Sequence, residues 1–173
     1  MGRQELDDES EWFLDRSTGR LLFIPSAGVR LEQLQALRVE APRLQVLVRV
    51  AGSASQPVVG VSMSGFNITG AAPTFMEDYE IPSGGDWSVT RRAAVFIEGA
   101  TNITLSKLTF DQVEGNAVFL SNSVRFSAVV DCDFWRTGDS AVLAVGMTRG
   151  NNGTAAEYPA HNAIERNWMD TVG

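Results

Sequence analysis

Three acidic side chains, Glu98, Asp139 and Asp86, are the residues of this sequence with the best prospect of catalytic chemistry. Hydrolysis of a glycosidic bond needs two carboxyl groups flanking the bond, about 5 to 10 Å apart. One carboxyl group protonates the leaving oxygen, while the other activates water or attacks the sugar. We therefore expect Asp139 to form an acid pair with Glu98 or with Asp86, if the fold brings them together.

Other active-site chemistries have little support in the sequence. His161 is the only histidine, which excludes a metal site built from several histidines. Nothing around any serine resembles a nucleophile elbow, and neither a Walker loop nor a GxGxxG motif occurs. We therefore expect no metal, nucleotide or other cofactor.

The elements that would position these acids recur along the chain. The segment RAAVFIE at residues 92–98 returns as GNAVFLS at 115–121 and, more weakly, as DSAVLAV at 139–145. Repeats of this length, made of short β-rich pieces, predict an all-β parallel β-helix of about four rungs. Neighbouring rungs lie about 4.8 Å apart, so acids on adjacent or next-adjacent rungs are expected to meet the distance that glycoside hydrolysis needs.

Two regions are predicted. Residues 1–45 would form a β-hairpin and a lead-in or cap segment, because apolar runs flank the Gly-containing turn at 16–19. Residues 46–173 would form the rungs, with insertions at about 71–90 and 147–158. An insertion in a solenoid forms a loop on one face, which is often the binding face.

Strand alternation predicts which side chains of the first repeat face the core. Burying Phe96 would also bury the carboxylate of Glu98 without a partner, which is costly. The opposite phase, with Val95 and Ile97 inside, is therefore expected. Val118 and Val142 would continue the inner row of Val95.

In that phase Phe96 and Phe119 point away from the core and form an apolar column. An exposed column of this kind needs a cover or a ligand. The insertion at 71–90 either covers it, or leaves it open as a platform on which sugar rings stack. In the second case Trp87 and Tyr79 would border the substrate.

Composition and charge limit the partners. The 173 residues include 14 Lys and Arg against 21 Asp and Glu, for a net charge of −7, and the basic residues are scattered. Without a basic stripe we expect no nucleic-acid partner, and no apolar run reaches the ~18 residues of a membrane span. The single cysteine, Cys132, is expected to be a small buried apolar residue. A poly- or oligosaccharide is the expected partner, and the oligomeric state is left open.

Localisation also stays open at this stage. The first ten residues lack the apolar core of a signal peptide, which indicates a cytoplasmic protein. Asn-x-Thr sequons at Asn67, Asn102 and Asn152 would fit an extracellular protein if a preceding segment carried an export signal. The sequence ends at the end of a rung, from which we expect a fragment of a longer β-helix.

The segment EWFLDRSTGRLLFIP at residues 11–25, together with the repeats, resembles the right-handed parallel β-helix proteins of the pectate-lyase-like superfamily, in particular the right-handed β-helix region family. This segment is similar to the hairpin that precedes the helix in that family, with the pattern EW-x-LD-x-x-TG-x-L-x-x-x-P. The resemblance implies a right-handed single-stranded parallel β-helix that acts on polysaccharide as a glycoside hydrolase or a polysaccharide lyase. The polygalacturonase type has adjacent aspartates and a Gly-His-Gly, whereas this chain has TGDS at 137–140. The alternative is a non-catalytic carbohydrate-binding or surface module.

Overall fold

The computed structural model of the chain describes residues 6–75, 77–81, 87–147 and 157–173. It divides into two compact units, Met1–Glu40 and Ala41–Gly173. The first unit contains a hairpin and a short helix, and the second unit contains only strands as regular structure in its described part.

The hairpin of the first unit is the one that the sequence predicts. Strand β1 (Trp12–Asp15) pairs in antiparallel fashion with β2 (Arg20–Phe23), and helix α1 spans Leu31–Gln35. The turn is stabilised by Asp15, because its Oδ1 accepts hydrogen bonds from the hydroxyl and the backbone N–H of Ser17 at 2.6 and 2.9 Å.

The second unit consists of short strands that follow one another closely along the chain. They are β3 (Val48–Ala51), β4 (Val58–Val59), β5 (Ser62–Ser64), β6 (Asn67–Ala71), β7 (Ala93–Glu98), β8 (Ala100–Thr101), β9 (Thr104–Ser106), β10 (Thr109–Val113), β11 (Asn116–Ser121), β12 (Ala128–Val130), β13 (Asp133–Thr137), β14 (Val142–Val145), β15 (Ala163–Glu165) and β16 (Trp168–Val172).

These strands form three parallel four-stranded sheets, each with one strand from every repeat. The first sheet has the order β3-β7-β11-β14, the second β5-β9-β12-β15 and the third β6-β10-β13-β16. A smaller parallel pair, β4 and β8, is continued by bridges from Thr101 to Arg125 and from Arg125 to Ala160. The all-β class is therefore confirmed, and stacked parallel sheets of this kind are compatible with a β-solenoid.

The register confirms the alignment of the repeats. Val95 lies beside Val118, and Val118 lies beside Val142. Val95, Val118, Ile97 and the other inward residues of this sheet belong to the main buried core, as the alternation rule predicts. Identical or similar side chains therefore stack on one another inside the second unit, which removes apolar surface from water at about 25 cal/mol per Å².

The third sheet contributes the largest stacked side chains to the same core. Phe110 and Phe134 are parallel, with ring centroids 4.8 Å apart and an interplanar angle of 8°. Cys132 is buried in the neighbouring row, as expected from the sequence. Burial raises the pKa of its thiol, because the apolar surroundings disfavour the thiolate.

Residues in the left-handed backbone region recur five residues apart in each repeat; the first two of each set lie outside the strands, and the third lies within a strand of the third sheet. Positive φ angles occur at Asn102, Lys107 and Gln112, at Phe126, Asp131 and Arg136, and at His161, Arg166 and Thr171. Glycines occupy the three corresponding positions of the first repeat, at 60, 65 and 70. The left-handed conformation costs a residue with a side chain about 1–2 kcal/mol, which contacts between neighbouring repeats must offset.

One such contact is a bidentate ion pair between corner residues of successive repeats. Arg166 donates through Nε and Nη2 to the two carboxylate oxygens of Asp131, at 2.7 and 3.0 Å. These hydrogen bonds hold the pKa of Asp131 below its ordinary value. Both side chains are exposed to solvent, so the pair contributes more to register than to stability.

Asparagine side chains also connect neighbouring repeats through the backbone. Asn167 accepts from the N–H of Cys132 and donates to the carbonyl of Val129, both at 2.9 Å. Asn162 does the same one corner earlier, accepting from Ser127 N–H and donating to the carbonyl of Val124. Both asparagines therefore use their side-chain amides to satisfy backbone groups of the preceding repeat.

Two backbone segments approach so closely at Gly52 and Gly99 that no side chain fits there. A Cβ added to Gly99, whose φ is +53°, would lie 2.5 Å from the backbone of Gly52. We expect Gly99→Ala to lower the free energy of unfolding by more than about 3 kcal/mol, measured by urea denaturation. Gly65→Ala is the matched control, because φ is +78° there and the space around it is open, so we expect a loss of only about 1–2 kcal/mol. Equal losses would contradict the close approach.

The hairpin turn has a specific pH dependence. Hydrogen bonds from Ser17 and Thr18 lower the pKa of Asp15 from 3.8 to about 2. Because the folded-state pKa lies below the unfolded one, the turn is fully stabilised above pH ~4 and loses this contribution as the pH falls towards 2. We expect an NMR titration of the Asp15 carboxyl group to have its midpoint near 2 and to move upward in Ser17→Ala. A midpoint near 4 in both proteins would contradict this assignment.

Candidate functional site

The register separates two of the predicted catalytic acids. Glu98 ends β7 and lies beside Ser121, whereas the register of β11 and β14, extended past the strand ends, brings Asp139 level with Gly115. Gly115 precedes Ser121 by six residues, which is about 20 Å of extended chain and well beyond the 5–10 Å of a glycosidase acid pair. This contradicts the expectation that Asp139 pairs with Glu98. The prediction used the distance between neighbouring rungs, but it did not consider that the two acids lie at different positions along their strands.

Asp139 is instead held near the start of the first sheet. Its Oδ1 accepts a hydrogen bond from the hydroxyl of Ser140 at 3.4 Å, and its backbone carbonyl accepts one from Thr137 at 3.0 Å. Asp86 lies outside the described residues, so its pairing with Asp139 or Glu98 stays a prediction.

The phenylalanine column of the first sheet is covered. Phe96 and Phe119 point away from the main core, as predicted, but they are only 3% and 0% exposed. Their rings meet edge to face, with centroids 5.6 Å apart, inside a second apolar cluster that includes Val89 and Leu143. No ring face is therefore open to a sugar, which corrects the expectation that these two rings form a stacking platform.

The cover comes in part from the insertion, which is the first of the two alternatives that the sequence left open. Val89 pairs with Glu80 through two backbone hydrogen bonds of 2.8 Å and packs into the phenylalanine cluster. Tyr79, in the same segment, has its hydroxyl 3.1 Å from the hydroxyl of Thr74. Trp87 is 42% exposed, so it is accessible, but the platform it was expected to border is closed.

A small cleft lies at the other end of the same strands, where Glu98 is. It has a volume of about 230 Å³ and is lined by Gly52, Ser53, Ala54, Glu98, Gly99, Asn122, Ser123, Met147 and Glu157. Its glycines are those whose backbones approach too closely for a side chain. The alternation that puts Val95 and Ile97 inside therefore puts Glu98 on the outer surface, where it faces this cleft.

Glu98 is oriented by two donors from the next repeat. The hydroxyl of Ser121 and the side-chain amide of Asn122 both donate to its Oε2 at 2.8 Å. The amide oxygen of Asn122 is buried and has no hydrogen-bond partner among the described residues. A buried acceptor without a partner carries a free-energy cost, so the amide group of Asn122 is fixed by its donation to Glu98 and not through this oxygen.

Arg91 supports this arrangement from the side of the insertion. Its guanidinium donates to the hydroxyl of Ser121 at 3.1 Å and to the carbonyl of Gly146 at 2.6 Å, and its Nε donates to Glu80 at 2.9 Å. It also lies over the ring of Phe119, 5.6 Å from the centroid. Arg91 thus connects the buried aromatic cluster to the residues that hold Glu98.

Glu157 is the second carboxylate of the cleft, and sequence reasoning did not select it. It lies near the end of the insertion predicted at about 147–158, and its backbone carbonyl accepts a hydrogen bond from the N–H of Met147 at 2.9 Å. This hydrogen bond holds Glu157 beside Met147, two residues past the end of β14 in the first sheet. Position within the insertion was the only available sequence signal, because Glu157 lies outside the repeated motif.

His161, possible metal sites and possible membrane spans were also considered for the described part of the chain. His161 stacks on the exposed ring of Phe126, with centroids 5.0 Å apart and an angle of 7°. Within the described ranges, no three His, Cys, Asp or Glu side chains are grouped closely enough to hold a metal ion. The described helix is too short to cross a membrane.

Comparisons with family models, with curated proteins and with solved structures produced no match.

Two exposed tryptophans lie on the third sheet, and sequence reasoning did not select them as candidate binding residues. Trp135 and Trp168 are 36% and 60% exposed, with ring centroids 6.4 Å apart and an interplanar angle of 36°. The signal was present in the sequence, because each tryptophan is adjacent to an inward-pointing residue, Phe134 or Met169. Applying strand alternation to these strands as well would have placed both indoles outside.

The contacts of Arg91 predict that this residue contributes to the free energy of unfolding. Arg91→Met removes the charged donor to Ser121 and to the Gly146 carbonyl, and we expect the free energy of unfolding to fall by about 1.5–3 kcal/mol. Arg136→Met is the matched control, because Arg136 is exposed and its ion pair with Asp111 lies at the surface. We expect less than about 1 kcal/mol for the control. A similar small effect of both changes in urea unfolding would show that Arg91 does not hold the site together.

Proposed function

We propose that this chain forms a right-handed, single-stranded parallel β-helix of the pectate-lyase-like type and cleaves a glycosidic bond of a polysaccharide. The fold assignment is supported by three parallel sheets that each take one strand per repeat. The right-handed sense of the helix is proposed because crossover connections between parallel strands are right-handed in nearly all proteins. The assignment to this superfamily and its carbohydrate substrate rests on the resemblance of residues 11–25 and of the repeats.

The observation that carries the catalytic proposal is that Glu98 and Glu157 line one cleft. Glu98 belongs to the β7 repeat, and Glu157 is bonded to the segment that follows β14, two strands away. Two strand spacings amount to about 9.6 Å. This is the spacing of the backbones, and carboxyl groups at a similar spacing would lie near the upper limit of the separation found in inverting enzymes, in which a water molecule fits between the sugar and the catalytic base.

The hydrogen bonds to Glu98 support the role of general base for this residue, which leaves the role of general acid to Glu157. Glu98 accepts from both Ser121 and Asn122, an arrangement suited to an ionised carboxylate that takes a proton from water. Glu157, as a carboxylic acid, would donate its proton to the leaving oxygen. The oxygen of the water forms a bond to the anomeric carbon as the bond to the leaving oxygen breaks. Inversion of configuration follows from attack on the opposite side of the sugar.

Non-catalytic carbohydrate binding is the second candidate function. The volume of the cleft, about 230 Å³, favours it, because typical ligand pockets measure 300–1,000 Å³. A cleft of that size would hold one end of a saccharide by hydrogen bonds to Glu98 and Asn122 without enclosing the bond to be cleaved.

The two candidates differ in product release. We expect the protein to release reducing ends from one member of a panel of neutral and acidic polysaccharides, measured by chromatography, with no ultraviolet absorbance from an unsaturated lyase product. Glu98→Gln and Glu157→Gln should each lower turnover by at least 100-fold, because each removes one half of the acid–base pair.

Asp139→Asn is the matched control for these variants. The register puts Asp139 about 20 Å along the sheet from Glu98, so its turnover should equal that of the unchanged protein. Thermal unfolding would establish that all three variants are folded. Turnover that survives in both glutamate variants, or that is lost in Asp139→Asn, would overturn the cleft as the active site. Binding without any product would favour the second candidate.

A further inference from the structure

The outer surface of the third sheet combines two indoles, several carboxylates and neutral hydrogen-bonding groups. Alternation places eight of its side chains on the side opposite the buried row of Phe110 and Phe134. We call this surface the tryptophan face, and it consists of Asn67, Thr69, Thr109, Asp111, Asp133, Trp135, Trp168 and Asp170.

The two indoles provide the apolar part of the tryptophan face. They come from neighbouring strands, and their centroids are 6.4 Å apart at an angle of 36°. The larger share of Trp168 and a third of Trp135 are accessible to solvent. Exposed aromatic faces on a rigid sheet stack on flat groups with C–H bonds and attract cations.

Carboxylates flank both indoles along the sheet. Asp133 lies beside Trp168 in the register, and Trp135 lies between Asp111 and Asp170. Arg136 pairs with Asp111 at 2.6 Å. Neither Asp133 nor Asp170 has a basic partner in the part of the chain that the structure describes. Negative charge therefore remains beside the aromatic faces, which favours a positively charged ligand.

The other two strands extend the same rows with neutral hydrogen-bonding groups. Thr109 and Asn67 continue the row of Asp133, and Thr69 continues the row of Asp111. A ligand that crosses the four strands, a distance of about 14 Å, meets indoles, carboxylates, hydroxyls and an amide in turn. Hydroxyl and amide groups match a ligand that itself carries hydroxyls, which a basic peptide lacks along most of its length.

We propose that the tryptophan face binds a cationic saccharide, a chain of sugars with free amino groups. The indoles stack on the sugar rings, the carboxylates of Asp133 and Asp170 pair with the ammonium groups, and the neutral side chains bind sugar hydroxyls. The site is separate from the cleft at Glu98, so binding here does not require that the cleft be catalytic.

Binding of a glucosamine hexamer tests the proposal at about pH 6, where both the amines and the carboxylates are charged. The comparison ligands are the N-acetylated hexamer, which has the same rings without charge, and hexalysine, which has the charge without rings. We expect isothermal titration to give at least tenfold tighter binding of the glucosamine hexamer than of either comparison ligand, which corresponds to one charge-assisted hydrogen bond.

Variants separate the contribution of the indoles to binding from that of the carboxylates. Trp168→Ala should lower affinity for both hexasaccharides, whereas Trp12→Ala, which removes an equally exposed tryptophan from the hairpin, should change neither. The double change Asp133→Asn and Asp170→Asn should remove the preference for the charged sugar and leave binding of the acetylated one. Asp78→Asn, an exposed acid between β6 and β7, is the control for charge.

Three results would overturn the proposal. Equal affinity for the charged and acetylated hexamers would show that the carboxylates do not select the ligand. Equal affinity for hexalysine would indicate a basic peptide instead of a saccharide. Binding that is unaffected by Trp168→Ala would place the ligand elsewhere on the protein. Each result is read from binding alone, so it is distinguishable from a failure of catalysis in the cleft.

Discussion

The parallel register between repeats is the constraint on which the second unit depends. Each strand lies about 4.8 Å from its equivalent in the next repeat, so side chains at equivalent positions must stack on one another. Val95 on Val118 and Phe110 on Phe134 satisfy this requirement with apolar contacts. Asn167 satisfies it with two backbone hydrogen bonds. The left-handed corners recur at equivalent positions for the same reason, because a shift of one residue would turn each inward side chain outward.

The same register determines which polar groups can cooperate. Glu98 and Ser121 end neighbouring strands, so the hydroxyl of one reaches the carboxylate of the other without any special loop. Arg91 adds a contact that the repeat itself does not supply, because it comes from the segment before β7. The cleft therefore combines a repeated part, the strand ends, with an unrepeated part, the loops near Arg91 and Glu157. Specific chemistry in a repeat protein generally resides in such unrepeated parts.

The two aromatic surfaces of the second unit differ in what covers them. Phe96 and Phe119 pack under Val89 of the insertion, while Trp135 and Trp168 have no such cover in the described structure. An indole also tolerates exposure better than a phenyl ring, because its N–H can bind water. Carboxylates flank the indoles, whereas the guanidinium of Arg91 lies over a ring of the phenylalanine cluster. Both surfaces lie on outward faces of parallel sheets, and only the first serves mainly for packing.

The amino-acid pattern alone was enough to predict the repeat, the inward row of Val95 and Ile97, the hairpin at residues 11–25 and the burial of Cys132. These features follow from periodicity and alternation, which are local properties. Only the tertiary structure decided that Phe96 and Phe119 are buried, since the covering residues are supplied by a segment without a repeat. The tertiary structure also shows that Asp139 and Glu98 are far apart, because their distance along the sheet depends on the register of the strands. It shows as well that Glu157 lines the same cleft as Glu98. The physical reason is the same in each case: periodicity sets the direction of a side chain, but only the packing of unrepeated segments sets its neighbours.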